Sequence, residues 1–385
     1  MKLRCCIDPT IPLLEQALQP FARLYPVAGS ELSAELLRRL RCQVLIVRAH
    51  VRVDAQLLER TPVRFVASPS AGLDHIAVEE LRARGITVAH APGCNANAVA
   101  EYTIFAVLRW ALILGRPLSK ERIGIVGFGH IGRRVALYAR RLGMEVWVND
   151  PPLEQQGFAF PEWVHPVPLT ELLRGCRAVT VHVPLTRTGE FPTYHLLGEQ
   201  ELGYLQRTAL LVNSARGGVV DERALLRELE RRELFLAFDV WETEPRPRWE
   251  LAVRAMLATP HIAGHTWQGR VRCTWAIVRA LAQWAGFTCP EELFQEALSQ
   301  APRTPPVPWD DPQELHQLLC ERRRLPQDTQ QLQLWRLLPE SLQAETFQRF
   351  RQSYPRRHEL LRIDPTWEWY RTDLLSSPVP GEEAL

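Results

Sequence analysis

The stretch Arg122-Ile-Gly-Ile-Val-Gly127-Phe128-Gly129-His130-Ile131-Gly132, followed by a helical pattern over Arg133–Leu142 and then by Glu145-Val-Trp-Val-Asn-Asp150, decides the fold. The run before Gly127 is apolar throughout, as a strand covered on both faces of a parallel sheet must be. Gly127 then permits a tight turn, Gly129 lets the backbone approach a pyrophosphate, and Gly132 allows close contact of helix and strand. A helix N-terminus at this turn offers unpaired N–H groups and positive partial charge to phosphates. Asp150 closes the next strand, where a carboxylate can accept both ribose hydroxyls of an adenosine and repel a 2′-phosphate. NAD is therefore expected over NADP. The competing reading is a glycine turn kept for packing and an aspartate that caps a loop.

Working outward, Val- and Ile-rich runs alternate with helical patterns on both sides of this unit, the signature of parallel sheets covered by helices. Strands are expected at Arg4–Ile7, Gln43–Val47, Arg64–Ala67 and Ile86–Ala89, with Ser30 capping a helix to Leu40. A long helix from Asn97 to about Leu114 leads to further strands at Arg122–Val126, Glu145–Asn149, Ala178–Val183, Ala209–Asn213 and Leu234–Val240. After Gly286 the alternation stops. Ala301-Pro-Arg-Thr-Pro-Pro-Val-Pro-Trp309 is too proline-rich for helix or central strand and reads as a linker. Helical patterns at Pro312–Arg324 and Pro339–Tyr354 and an apolar run near Leu360–Ile363 suffice for a small third domain.

The 385 residues, 46% hydrophobic and 23% charged, exclude a disordered or fibrous chain. A formal charge of +2 gives no long-range field favouring nucleic acid. The longest apolar run, Tyr102 to Leu114, is interrupted by Arg109 and falls short of a membrane span; Asp8 interrupts any secretory leader. A cytoplasmic protein without a membrane partner is expected. The eight cysteines form no Cys-x-x-Cys pair and no zinc-spaced cluster, so no metal is expected and most should be small buried apolar groups.

Two further segments lie just past strands, at the edge where open α/β sheets bind ligands. Val212-Asn-Ser-Ala-Arg216-Gly-Gly-Val-Val-Asp221 delivers a guanidinium that can fork onto a carboxylate; a surface arginine in a loop is the alternative. Asp221 reads as the N-cap of Glu222–Arg231. Phe238-Asp239-Val-Trp-Glu-Thr-Glu244-Pro245 is followed by Thr259-Pro-His261-Ile-Ala-Gly264-His265. A histidine beside a carboxylate can take a proton near neutral pH, because the carboxylate stabilises imidazolium.

Gly127–Gly132 with Asp150, Asn213–Gly217, Asp239…Glu244-Pro245 and Pro260–Gly264 resemble, in order and spacing, the D-2-hydroxyacid dehydrogenases over about residues 1–287. Ala91–Tyr102, Asp150-Pro151-Pro152 and His261–Arg270 are most similar to the branch that oxidises 4-phospho-D-erythronate. Phe347-x-x-Phe-Arg-x-x-Tyr-Pro-Arg-Arg-His-Glu359 resembles the C-terminal dimerisation domain of that branch. The resemblance implies a flavodoxin-like substrate domain (1–93 and 260–287), a Rossmann NAD domain (94–259) and a small α+β dimerisation domain (288–385) in a homodimer. It implies NAD-dependent oxidation at C2 to a 2-oxo acid within pyridoxal 5′-phosphate synthesis. Arg216 would bind the carboxylate and the reacting hydroxyl, His261 would remove the hydroxyl proton, and Glu244 would orient His261. Val183, Ser214, Ala215, Asp239 and Gly264 would join the glycine loop in contacting NAD.

On the substrate side the chain departs from the family pattern. The expected Val-Arg-Ser is Val47-Arg48-Ala49, a hydroxyl is kept at Ser70, and the tyrosine after Gly264 is His265. Arg48 is a candidate for the phosphate by charge. These changes keep open a dehydrogenase for another D-2-hydroxy acid of glycerate or phosphoglycerate type, and, from another class, an NAD-sensing scaffold.

Overall fold

The computed structural model describes residues 2–302, 306–367 and 374–375. They fall into two compact units: one runs to Asn95 and resumes at Thr266, and the other comprises Ala96–His265 and the chain after residue 303.

In the first unit β1 (Leu3–Ile7), β2 (Ala22–Pro26), β3 (Val44–Ile46), β4 (Phe65–Ala67) and β5 (Thr87–Ala89) pair in parallel in the order β2-β1-β3-β4-β5. This is the flavodoxin-like order. Alternate residues feed opposite cores, as a strand's two-residue period requires. Ile7, Val44, Ile46 and Phe65 meet Val271, Ile277 and Leu281 of helix Trp267–Ala285 on one face. Cys6, Leu45 and Val66 meet Leu37 and Leu81 on the other. Helix Ala34–Leu40 is capped by Ser33, whose Oγ accepts the Leu36 N–H, and not by Ser30, which lies in a 3₁₀ turn over Gly29–Glu31. Helix Glu291–Ser299 also packs here, through Phe294 and Ala297, although the sequence reading assigned everything after 288 to the C-terminal domain.

The second unit contains β6 (Arg122–Val126), β7 (Glu145–Asn149), β8 (Val164–Pro166), β9 (Ala178–Val181), β10 (Leu210–Asn213), β11 (Phe235–Phe238) and β12 (Leu257–Ala258). Their order, β12-β11-β10-β9-β6-β7-β8, is a Rossmann sheet with one strand added. Ile123, Ile125, Val146, Val148, Leu210 and Val212 enter one core, and Val126, Val179, Val181, Leu211, Leu236 and Phe238 the other. Helix Ala96–Leu114 is long and apolar enough to cross a membrane by length and composition, yet 72% of its most apolar stretch is buried, so it packs as a core helix.

Helices Pro312–Arg323, Leu325–Leu334 and Glu340–Gln352 belong to this unit. Leu315, Leu319, Leu325, Leu360 and Leu361 share a core with Phe105 and Tyr138. The α+β character expected of the C-terminal part is not found among the described residues, where no strand follows β12. The run at Leu360–Ile363 finds no sheet because the N–H groups of Leu360 and Leu361 are donated instead to Glu101 Oε2, at 2.6 and 2.7 Å.

Candidate active site

Six strands of the second sheet end level with one another. Asn149, Val126, Val181, Asn213, Phe238 and Ala258 pair side by side across β7, β6, β9, β10, β11 and β12. The next residue of each strand is Asp150, Gly127, His182, Ser214, Asp239 and Thr259. This carboxyl edge is where open α/β sheets bind ligands. Three residues past the row stand Arg216 and His261, and six past it Glu244.

At the centre of the row the glycine turn is tightly constrained. Gly127 has φ +94°, and a Cβ there would lie 2.8 Å from the His182 carbonyl oxygen. A Cβ on Gly132 would stand 2.1 Å from the Gly127 oxygen, so helix His130–Arg141 can close onto the turn only with glycine here. Gly129 is the N-cap and has no side chain to satisfy the first N–H groups of the helix. Asp150 Oδ2 accepts the Phe128 N–H at 2.7 Å, and Oδ1 caps helix Pro151–Gln155 through Leu153 N at 3.1 Å. The carboxylate therefore shapes the turn, and its remaining lone pairs can still accept from a ribose.

Next to the glycine turn, His182 Nε2 is 2.8 Å from Thr180 Oγ1, while Nδ1 is buried and finds no partner among the described residues. Burial pushes its pKa down to about 3, so the ring is neutral. The sequence reading placed His182 inside a strand running to Val183; β9 stops at Val181 and leaves both at the edge. Ser214 Oγ is likewise buried without a partner among the described residues, and a buried hydroxyl at a ligand-binding edge calls for one. Glycine cradle, open helix N-terminus and orphaned hydroxyl together fit a dinucleotide.

Toward the sheet margin, Asn213 Oδ1 accepts the Ala215 N–H and its Nδ2 donates to the Arg216 carbonyl, shaping the loop that presents Arg216. Arg216 Nη1 donates to the Ala215 carbonyl at 2.8 Å. Gly217 lets this loop touch its neighbour, since a Cβ would overlap the Trp241 backbone at 2.1 Å. Trp241 N–H in turn donates to Glu244 Oε1 at 2.9 Å, and Glu244 Oε2 is 2.9 Å from His261 Nδ1. Burial raises the Glu244 pKa, but the His261 imidazole and the Arg351 guanidinium outweigh it and hold the carboxyl below its usual range.

His261 has φ +57°, strained for a side chain other than glycine. The strain is held by bonds to Asp239, whose carbonyl accepts His261 N at 2.7 Å while its carboxylate accepts Ile262 N, Ala263 N and Thr259 Oγ1 at 2.6–2.9 Å. Asp239 thus fixes the loop through Gly264. Burial raises its own pKa against these favourable partners. Further out, the His265 ring lies edge-on to Tyr354 with centroids 6.0 Å apart.

In the first unit, Ile7, Ile46 and Ala67 form a similar row. Beyond it Arg48 Nη1 donates to Thr10 Oγ1 at 3.1 Å, and Arg270 Nη2 to the Thr10 carbonyl at 3.0 Å, with Asp8 accepting from Thr10. Ala49 is exposed. Ser70 donates to the Gly72 carbonyl at 2.8 Å and ends a chain through Ser68 to His75.

Residues 101–263 match the NAD binding domain of the D-isomer specific 2-hydroxyacid dehydrogenases. The erythronate-4-phosphate dehydrogenase of Pseudomonas fluorescens is 36% identical over 369 residues, covering 92% of each chain. The chain belongs to the erythronate-4-phosphate dehydrogenase family. Another family member, from Salinibacter ruber, is 41% identical over 74% of each chain. Among solved structures, the TT0316 protein from Thermus thermophilus superposes with a TM-score of 0.64 at 27% identity, covering 75% of this chain and 99% of its own. The D-lactate dehydrogenase of Aquifex aeolicus, solved with NAD and lactic acid, shares the fold at a TM-score of 0.59 and 24% identity, covering 77% of this chain and 97% of its own. As in the rest of the erythronate-4-phosphate dehydrogenase family, the activity is that of an NAD-dependent D-2-hydroxyacid dehydrogenase.

Proposed function

We propose that this chain oxidises C2 of 4-phospho-D-erythronate, with Arg216, Glu244 and His261 as its reacting set. The observation that supports this most directly is the 2.9 Å contact of His261 Nδ1 with Glu244. With Nδ1–H donated to the carboxylate, Nε2 is the nitrogen left to take a proton. The C2 hydroxyl gives its proton to that Nε2 as the C2–H bond breaks and the carbon becomes a carbonyl. NAD, when bound, accepts the hydride. Alkoxide character grows on the oxygen during this step, so a fixed guanidinium at Arg216 and a poised imidazole stabilise the transition state more than the ground state.

Gly127, Phe128, Gly129, His130, Ile131 and Gly132 would hold the pyrophosphate, Asp150 the ribose, and Val183, Ser214, Ala215, Asp239 and Gly264 the nicotinamide half. Ser70 and His265 would meet the substrate, Ala49 contributing no hydroxyl. Arg48 and Arg270, both donating to Thr10, suit the phosphate by charge. The resemblance at Phe347–Glu359 supports a homodimer built through the C-terminal domain, in a cytoplasmic pathway leading to pyridoxal 5′-phosphate.

The test is formation of reduced nicotinamide from NAD with 4-phospho-D-erythronate, D-erythronate, D-glycerate and 3-phospho-D-glycerate. The expected kcat/KM is about 100-fold higher for the phosphorylated four-carbon acid than for its unphosphorylated form, as one or two charge-assisted hydrogen bonds supply. Preference for a non-phosphorylated acid would favour the second reading, which Ala49 and His265 motivate. No reduction with any acid would leave an NAD-sensing scaffold.

A further inference from the structure

Three contacts from the C-terminal segment reach the loop that bears His261. Arg351, in helix Glu340–Gln352, donates from Nε to the His261 carbonyl at 3.3 Å. Arg323, fully buried at the end of helix Pro312–Arg323, donates from Nη2 to the Ala263 carbonyl at 2.8 Å. Tyr354 packs edge-on against His265. Asp239 grips the N–H groups of the loop from the sheet, and the two arginines grip its carbonyls from the opposite chemical side.

We propose that Arg351 is a positioning residue for the hydride-transfer reaction, fixing the left-handed turn at His261 and placing a permanent positive charge beside the Glu244–His261 pair. The C-terminal segment is then part of the active site in addition to any role in dimerisation. This inference rests on the reading of His261 as the base.

The charges around the pair make the sign of the effect clear. Asp239 lies on the sheet side, and Glu222 and Glu242 lie near the Glu244 loop, with Arg248 paired to Glu222 at 3.5 Å. Arg351 is the cation that acts on Glu244 from the C-terminal helices. Its own charge is opposed by burial and supported by Glu244 and Asp239. A cation here disfavours a second positive charge on the imidazole. Removing it takes that opposition away and frees the carbonyl side of the turn.

The experiment compares the full chain with Arg351→Gln and Arg351→Lys by NMR titration of the His261 ring, assigned by its loss in His261→Gln. This readout needs no substrate. The titration midpoint should rise by about half a unit or more in Arg351→Gln and return toward the parent value in Arg351→Lys. Kinetics with NAD and 4-phospho-D-erythronate should show kcat down about tenfold in Arg351→Gln, with the acid limb of kcat/KM moved to higher pH and partial rescue by lysine. An unmoved midpoint in Arg351→Gln, or a lysine variant no better than glutamine, overturns the proposal. The expected shifts in the Arg351 variants of a protein that turns over no D-2-hydroxy acid would instead overturn the proposed reaction and leave the electrostatic coupling standing.

Discussion

At Glu222 a single carboxyl makes stability depend on pH. Its side chain is fully buried, accepts the Glu242 N–H at 2.8 Å and lies 3.5 Å from Arg248 Nε. Burial pushes its pKa up to about 7, the Glu242 and Glu244 carboxylates adding to the rise. A carboxyl whose pKa is raised on folding binds more protons in the native state, so its contribution is fully present below the unfolded value and is lost as pH rises to about 7. Glu222→Gln keeps an acceptor for the Glu242 N–H and removes the penalty. Urea unfolding should therefore show the variant gaining on the parent by roughly 1 kcal/mol per unit between about pH 4.5 and 7, with the difference flat above. Arg216, Glu244, His261 and the glycines stand out in the sequence as chemically distinctive types past apolar runs, and the structure places them along one sheet edge. Arg351 does not stand out, since its bond is to a backbone carbonyl 90 residues away and leaves no mark on residue type. Asp150 was read as a ribose contact with a loop cap as the alternative, and Asp239 as a cofactor contact; their oxygens organise the loops that bear the other groups.

Among the described residues every central strand was expected from the sequence, and of the four edge strands only β5 was. β6 and β7 fall where their apolar runs predict, β10 starts one residue later, and β11 is shorter at both ends, Phe235–Phe238 against the expected Leu234–Val240. The three strands that were not foreseen, β2, β8 and β12, are all edge strands. An edge strand needs cover from one neighbour only, so β2 tolerates Arg23 and Pro26, β8 carries His165 and Pro166, and β12 is two residues long. The helix at Ala96–Leu114 carries a different kind of risk. Its Glu101 is fully buried, 2.8 Å from Arg323, and accepts both the Leu360 and Leu361 N–H groups. Burial raises its pKa, opposed by Arg323 and the Leu361 N–H. Glu101→Gln strands the Arg323 cation, and unfolding free energy should fall by about 3–5 kcal/mol. At the glycine turn, Gly132→Ala meets a backbone oxygen that cannot move aside. NADH titration should show affinity weakened at least about tenfold.

For the whole molecule, the C-terminal helices and the Rossmann sheet share their cores. Leu315, Leu319, Leu325, Leu360 and Leu361 enter one, and Leu332, Trp335 and Phe347 the other. A chain ending at residue 302 exposes these apolar surfaces and loses the grip on the His261 loop. It should be aggregation-prone and fail to unfold cooperatively; a truncated chain that melts sharply and binds NADH would show that the two parts fold independently. The alternation of strands and helices made both sheets legible, but not which core the C-terminal helices would enter, because amphipathic patterns do not name their partner. The central claim is that the carboxyl edge of one sheet brings His261 and Glu244 together as the base that starts hydride transfer. Its most direct measurement is the rate of reduced-nicotinamide formation by His261→Ala with 4-phospho-D-erythronate, alongside NADH binding by the same variant. The account predicts a rate lower by about 10²–10⁴ with NADH affinity unchanged; a rate within a few-fold of the parent would contradict it.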